Sequence, residues 1–285
     1  MSTHRKGARN NPPPVSLMIW LLLAASVGHS QEPSEQALRK AVQNPVGQLI
    51  QVQVMNNTNF DAGPFTRNTN TLEVEPVIPF RISQDWLLVS RILVNALVYQ
   101  PDLARMTGGS VGFGDTTPTF FLTPADAAKV VWGVGPSLQM PTATTSAVGA
   151  GKWALGPSVA VFTQPKWGTV GFIVQNVWSV AGDPKGPNIN QMMLQLNGQY
   201  NLGKTWYLSS TPTIGADWNL SRRNRWIVPL GGGVGRVFKI GKQSFNGTVV
   251  FYGAVVRPER LPAPKWQLSL QLAFLYPKKK HGKNQ

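Results

Sequence analysis

Residues 266–276 constrain the fold more than any other stretch. Trp266, Leu268, Leu270, Leu272, Phe274 and Tyr276 fall at every second position and are all apolar. Gln267, Ser269, Gln271 and Ala273 lie between them, with Leu275 the one exception. A period of two marks a β-strand with one oily and one polar face. The oily face begins with Trp and ends with Phe and Tyr, residues that favour the edges of a lipid bilayer. A tilted strand needs about 9–11 residues to cross one. The stretch therefore reads as the last strand of a transmembrane β-barrel.

The same period recurs upstream. Ile50, Val52 and Val54 alternate with Gln51 and Gln53. Leu72, Val74, Pro76, Ile78 and Phe80 alternate with Thr71, Glu73, Glu75 and Arg81. Met192, Leu194, Leu196, Gly198 and Tyr200 alternate with Gln191, Gln195, Asn197, Gln199 and Asn201. Weaker candidates lie at 86–99, 112–122, 129–140, 152–163, 167–178, 206–219, 226–240 and 243–256. The total is about twelve, and an even count returns both termini to the periplasm. The expected fold is an all-β, antiparallel transmembrane barrel of about twelve strands with a short N-terminal helical segment.

Connections and tryptophans agree with it. Short turns are expected at 83–85, 164–166, 203–204 and 241–242, and longer loops at 57–69, 100–111, 141–151, 180–189 and 257–265. This is the asymmetry of short periplasmic turns and longer outer loops, blurred by a longish turn at 123–128 and a short loop at 220–225. Trp86, Trp132, Trp167 and Trp206 fall near the periplasmic ends of strands. Trp153, Trp178, Trp218, Trp226 and Trp266 fall near the outer ends. From Trp206 to Trp218 a tilted strand climbs roughly 30 Å, close to an apolar band of about 25 Å with its girdles. A soluble sandwich would place tryptophan at mid-strand instead.

Residues 1–30 read as a cleaved signal peptide, with Arg5, Lys6 and Arg9 ahead of an apolar run from Val15 to Val27. That run is too short for a membrane anchor, which needs about 20 residues. Residues 31–48 form an N-terminal periplasmic or plug segment. Ser34 caps a helix there that runs to about Gln43 and is stopped by Pro45, with Leu38 and Val42 on one face. The barrel takes 49–277, and 278–285 is a basic tail. The expected location is the outer membrane.

Composition narrows the function classes. Only 14% of residues are charged, against about 25% in soluble domains. The net charge is +15, but no basic groove with interleaved aromatics suggests nucleic-acid binding. There is no cysteine, and the only histidines are His4, His29 and His281. A Ser-His hydrolase and a His-rich metal site are excluded on inventory, and no cofactor is implied. Glu73 and Glu75 share a strand face, yet nothing nearby supplies a nucleophile. The glycine runs at 231–235 and 108–109 lack the following helix of a phosphate loop. Glycine inside a strand pattern signals bending or close approach.

The polar alternate positions face inward in a closed barrel. Candidate interior residues are Glu73, Glu75, Arg81, Arg91, Asn95, Asp115, Gln195, Asn197, Gln199 and Asp217. Mixed signs along a wall either sort solutes by charge or pair with one another and fill the interior. Leu87, Val89 and Leu93 leave room for an oily path. Loop cations Arg222, Arg223, Arg225, Arg257 and Arg260 would face an anionic leaflet, so lipopolysaccharide contact is a second expectation.

Several motifs carry a resemblance. Lys40-Ala-Val-Gln-Asn-Pro45, Asn56-Asn-Thr-Asn-Phe60 and Pro76-Val-Ile-Pro-Phe80 come first. Gly112-Phe-Gly-Asp115, Phe120-Phe-Leu122, Trp132-Gly-Val-Gly-Pro136, Pro141-Thr-Ala-Thr144, Gly151-Lys-Trp153 and Gln175-Asn-Val-Trp-Ser179 follow. Asn224-Arg-Trp226, Val228-Pro-Leu-Gly-Gly232 and Gly241-Lys-Gln243 stand near the end. Over residues 38–277 the chain resembles the outer-membrane proteins grouped as the MetA-pathway of phenol degradation family. The resemblance implies a barrel that passes small hydrophobic or aromatic compounds, and it carries no catalytic residues. The implied partners are membrane lipid, the barrel-assembly machinery and a small-molecule solute. Pro277 and the basic tail after the last aromatic depart from the usual assembly signal. The rival expectation is a structural or lipopolysaccharide-interacting barrel with a closed interior.

Overall fold

The computed structural model describes residues 34–126, 129–258 and 263–277. The signal peptide and basic tail expected from the sequence, and Arg260, lie outside them. One helix, α1 (Glu35–Val42), precedes fourteen strand segments. These are β1 (Ile50–Ala62), β2 (Arg67–Arg81), β3 (Trp86–Pro101), β4 (Gly109–Gly112), β5 (Thr116–Pro124), β6 (Val130–Gln139) and β7 (Lys152–Thr163). The rest are β8 (Gly168–Gly182), β9 (Asn190–Asn201), β10 (Trp206–Ser210), β11 (Thr213–Asp217), β12 (Trp226–Ile240), β13 (Gln243–Val256) and β14 (Trp266–Tyr276).

Pairing is antiparallel throughout and returns on itself. β1 pairs with β2 on one side and β14 on the other, and β14 leads through β13 and β12 back to β9. β4 and β5 both pair with β3, and β10 and β11 both lie between β9 and β12. The fourteen segments are thus a closed barrel of 12 strands. Closure pairs every strand on both sides except the short β4, which pairs with β3 alone, and closure is what a sheet surrounded by lipid requires. Among the described residues no helix is long and apolar enough to cross a membrane.

In β14 the expected alternation appears as burial. Ser269, Ala273 and Leu275 are buried, whereas Trp266, Leu270, Leu272 and Tyr276 are exposed on the outside. The register carries the inner face around the wall. Leu275 lies beside Gln51, Gln51 beside Val77, and Val77 beside Arg91.

The two broken strands each have an identifiable cause. Between β4 and β5, Asp115 leaves the ladder to accept N–H bonds from Ala143 (3.2 Å) and Ala150 (2.9 Å) in the connection after β6. Thr144 from the same connection accepts the N–H of Phe113 at 3.2 Å. Between β10 and β11 stands Pro212, which has no N–H to donate. There the pairing with β12 stops at Ser209–Gly233 and resumes only at Gly215–Ile227.

One expected loop is mostly strand. The sequence suggested a connection over 57–69, but β1 and β2 run on to leave only Gly63–Thr66 as the turn. The polar side chains that suggested a loop pair across the strands instead. Asn56 and Asn70 exchange bonds of 3.1 and 3.0 Å, Asn59 donates to Thr69 at 3.1 Å, and Asn57 donates to Glu73 at 2.9 Å.

Candidate functional site: the barrel interior and its closed end

The inner face differs between its two ends. At the end with the short turns, inward side chains from many strands are buried. Val77, Val89, Phe121, Ala160, Phe162 and Ile173 surround Val46, which is 1% exposed. Val46 comes from the chain between α1 and β1, not from the wall. Asn44 shapes its approach by accepting the Val46 N–H at 3.2 Å. At the end with the long loops, inward Gln191, Thr213 and Gly231 are exposed, whereas Ala154 on β7 and Val177 on β8 are buried beside Ile189 of the connection after β8.

The segment 34–49 accounts for the difference. Ser34 caps α1, its hydroxyl accepting the Ala37 N–H at 3.2 Å. Leu38 is 2% exposed and packs with Leu49, Val237, Ala273 and Leu275, with Ala41 and Val42 beside them. Leu275, the exception in the β14 pattern, is apolar because it meets this helix. On another side Gln43 donates to Asn201 at 3.2 Å and accepts from Thr169 at 3.2 Å. Gln164 donates to the Lys40 carbonyl at 2.8 Å, and Gln48 donates to the Ala125 carbonyl at 2.9 Å. Arg39 donates to the Gly203 carbonyl. The segment is held by contacts to residues of β2, β3, β5, β7, β8, β9, β12 and β14, and to three of the short turns, with no strand pairing.

The expected interior residues lie as follows. Glu75 and Arg91 form an ion pair at 2.9 Å with side chains 8% and 14% exposed. Glu73 sits one inward position along from Glu75, beside Met55 in register, and accepts from Asn57. Asn95 donates to the Asp115 carbonyl at 2.6 Å, and Gln139 donates to the Asp115 carboxylate at 3.1 Å. Arg81 lies at the short-turn rim and donates to the Gln84 carbonyl at 2.7 Å. Asp217 lies at the opposite rim, accepting from Gln191 at 3.1 Å. Gln195, Asn197 and Gln199 line β9 opposite Ile173, Gly171 and Thr169. Leu87 and Val89 are buried on the inner face, and the pairing of β3 puts Leu93 on that face too. Glu75 and Arg91 thus compensate each other in place, Asp115 ties down a loop, and Glu73 meets the neutral Asn57 amide.

Four features were not singled out from the sequence. Val46 and its pocket are one. A hydroxyl–amide chain, Thr119–Ser137–Gln175, crosses β5, β6 and β8 with bonds of 2.9 and 3.2 Å. Lys152 is 8% exposed and donates to Asn188 at 2.7 Å. Two inward tyrosines also cross β12 from opposite sides. Tyr207 on β10 donates to Asn246 at 2.8 Å and lies 3.0 Å from the Thr248 hydroxyl, both on β13. Tyr252 on β13 accepts the Thr211 N–H at 2.9 Å, next to the gap left by Pro212. The glycine run makes this possible, since a Cβ on Gly235 would fall onto the Tyr207 ring. Close approach, one of the two roles expected of that run, is what Gly235 supplies.

The tryptophans occupy two belts. Trp86 and Trp132 meet edge to face at 6.0 Å, and Trp167 stacks on Tyr200 at 6.2 Å, both at the short-turn end. Trp206 joins them, with the Arg236 guanidinium 5.1 Å from its ring. At the other end Trp218 and Trp226 meet at 5.6 Å, and Trp266 stacks on Phe251 at 5.6 Å. Trp153 and Trp178 are exposed at this end also. Among the described residues there is no histidine and no group of three residues able to hold a metal ion.

No protein-family model matches the chain, and no curated protein does. Solved structures do. An outer membrane channel from Pseudomonas putida F1 aligns over 82% of this chain and 97% of its own, at 16% identity and a TM-score of 0.60. The toluene transporter TodX of Pseudomonas putida aligns over 86% and 95%, at 8% identity and a TM-score of 0.40. Outer membrane phospholipase A from Escherichia coli aligns over 83% and 98%, at 12% identity and a TM-score of 0.41. Only the first shares the overall path of the chain, and at this identity the likeness establishes the fold.

Proposed function

We propose that this chain is an outer-membrane channel through which small solutes, hydrophobic and aromatic compounds among them, move passively. Residues 34–49 act as its plug on the periplasmic side. One observation supports the reading: at the short-turn end a segment that pairs with no strand packs against the inner face, while Gln191, Thr213 and Gly231 on β9, β11 and β12 toward the other end are exposed. A stopper held by side chains can leave without unfolding the wall, because no ladder bond has to break. The inner face also combines an apolar crescent from β2 to β8 with polar side chains on β9 and β1, which suits guests with an oily body. The barrel likeness to a solved outer membrane channel supports this reading. So does the sequence resemblance to the MetA-pathway of phenol degradation proteins, to which we assign the chain.

In this reading the outer face meets membrane lipid, the barrel-assembly machinery inserts the chain, and the exposed loop cations Arg222 and Arg257 turn toward lipopolysaccharide. The interior acts by size, polarity and wall charge, without catalysis. The test is planar-bilayer conductance of the refolded mature chain beside a chain lacking residues 31–48. Larger or more frequent steps after truncation are the expected result. Silence from both barrels, each shown to be folded, would contradict the channel and favour a structural barrel.

A further inference from the structure

Two clefts flank the plug at the short-turn end. One, of about 540 Å³, is lined by Lys40, Gln48, Lys129 and Gln164 among others. The second, of about 570 Å³, lies between α1 and the turn before β8, with Arg39, Lys40, Gln43, Gln164, Lys166 and Asn201 on its walls. Four cations therefore line the pair, and among the described residues no acidic one lines either.

Arg39 is the most constrained of these cations. It is only 5% exposed, and its Nε is buried without a hydrogen-bond partner. Its one recorded bond goes to the neutral carbonyl of Gly203. Burial holds its pKa below the ordinary arginine value, and among the described residues no carboxylate offsets that. A desolvated cation without a counter-charge is costly to keep. The guanidinium fork matches the geometry of an oxyanion, and flanking lysines add point charge.

We propose that the second cleft is a binding site for a phosphate-type oxyanion, which bridges Arg39 and Lys40 on the plug to Lys166 on the barrel. The binding stands on the cleft alone; its consequence for conductance rests on residues 34–49 being the plug. Two sources share this chemistry: a soluble phosphate and a phospholipid headgroup. Lys166 immediately precedes Trp167, whose ring stacks on lipid-facing Tyr200, so both sources reach this rim.

The test is calorimetric titration of inorganic phosphate into the full mature protein, refolded in a maltoside detergent at constant ionic strength. Saturable binding is expected, weakened about tenfold by Lys166→Gln and by Arg39→Gln, as loss of one charge-assisted contact of about 1.4 kcal/mol implies. Lys185→Gln, in an exposed outer loop, should bind as the parent does. Lys166 is exposed in a turn, so its variant stays folded, and heat-dependent gel migration checks this. Absence of saturable binding, or parental affinity in Lys166→Gln, would overturn the site. Competition by short-chain phosphatidylglycerol supports the site with a lipid headgroup as its guest; binding without competition supports it with a soluble oxyanion. Single-channel recording separates the linked reading. Phosphate should lower the open probability of the parent and not of Lys166→Gln. Binding that leaves conductance unchanged would contradict the plug while the site stands.

Discussion

The two ends of the inner face are built from the same strands, yet they are finished differently. At the long-loop end, polar side chains such as Gln191 and Thr213 stand open to solvent. At the short-turn end, Phe121, Phe162, Val77 and Val89 are covered by one residue, Val46, from outside the wall. The strands alone thus make a tube, and a short preceding segment packs into one end of it. The covered end should carry the packing energy, and the open end should tolerate change.

Substitutions along this axis can break that contrast. Phe121→Ala should be among the most damaging, lowering unfolding free energy by about 3–5 kcal/mol, because it removes a fully buried ring from the Val46 pocket. Denaturant unfolding of the barrel in detergent would measure it. Arg91→Met, farther up the wall, leaves Glu75 buried without its partner and should cost about 3–4 kcal/mol by the same assay. The double change Arg91→Met with Glu75→Gln should recover much of that loss. Gly235→Val drives a side chain into Tyr207 and should cost about 1–3 kcal/mol, with weaker heat resistance on gels. Tyr252→Phe deprives the Thr211 N–H of its acceptor and should cost about 1 kcal/mol, with faster hydrogen exchange at that amide. Thr213→Ala, at the open end, should stay within about 0.5 kcal/mol of the parent. A larger loss there than at Phe121 would reverse the contrast.

How far this architecture was legible depended on what each face touches. β14 was plain because lipid selects one face and a polar interior the other. The aromatic belts were plain because tryptophans mark strand ends. Part of β1 was hidden, since Asn56 and Thr58 place polar groups on the outer face and erase the period of two. They are tolerated there because Asn56 bonds to Asn70 across the pair. The breaks at 113–115 and 211–212 depend on contacts with distant loops and strands, although Pro212 offered a local hint. Of the interior residues, Glu73, Glu75 and Arg91 could be nominated from alternation alone, but their pairing depends on the register between β2 and β3. Val46 could not be nominated, because a single valine between Pro45 and Gly47 has no periodicity. Tyr207 and Tyr252 had one usable signal: a run of glycines in a strand asks what large neighbour lies across it.

The central claim is that residues 34–49 close the barrel and move to open it. The absence of native cysteine allows a direct test. Leu38→Cys with Val237→Cys places one thiol on α1 and one on the wall residue it packs against. Conductance of this variant would be recorded oxidised and then after reduction in the same bilayer. The account predicts suppressed steps with the tether closed and restored steps once it is reduced. Identical step size and open probability in both states would show that the segment need not move, and would contradict the account.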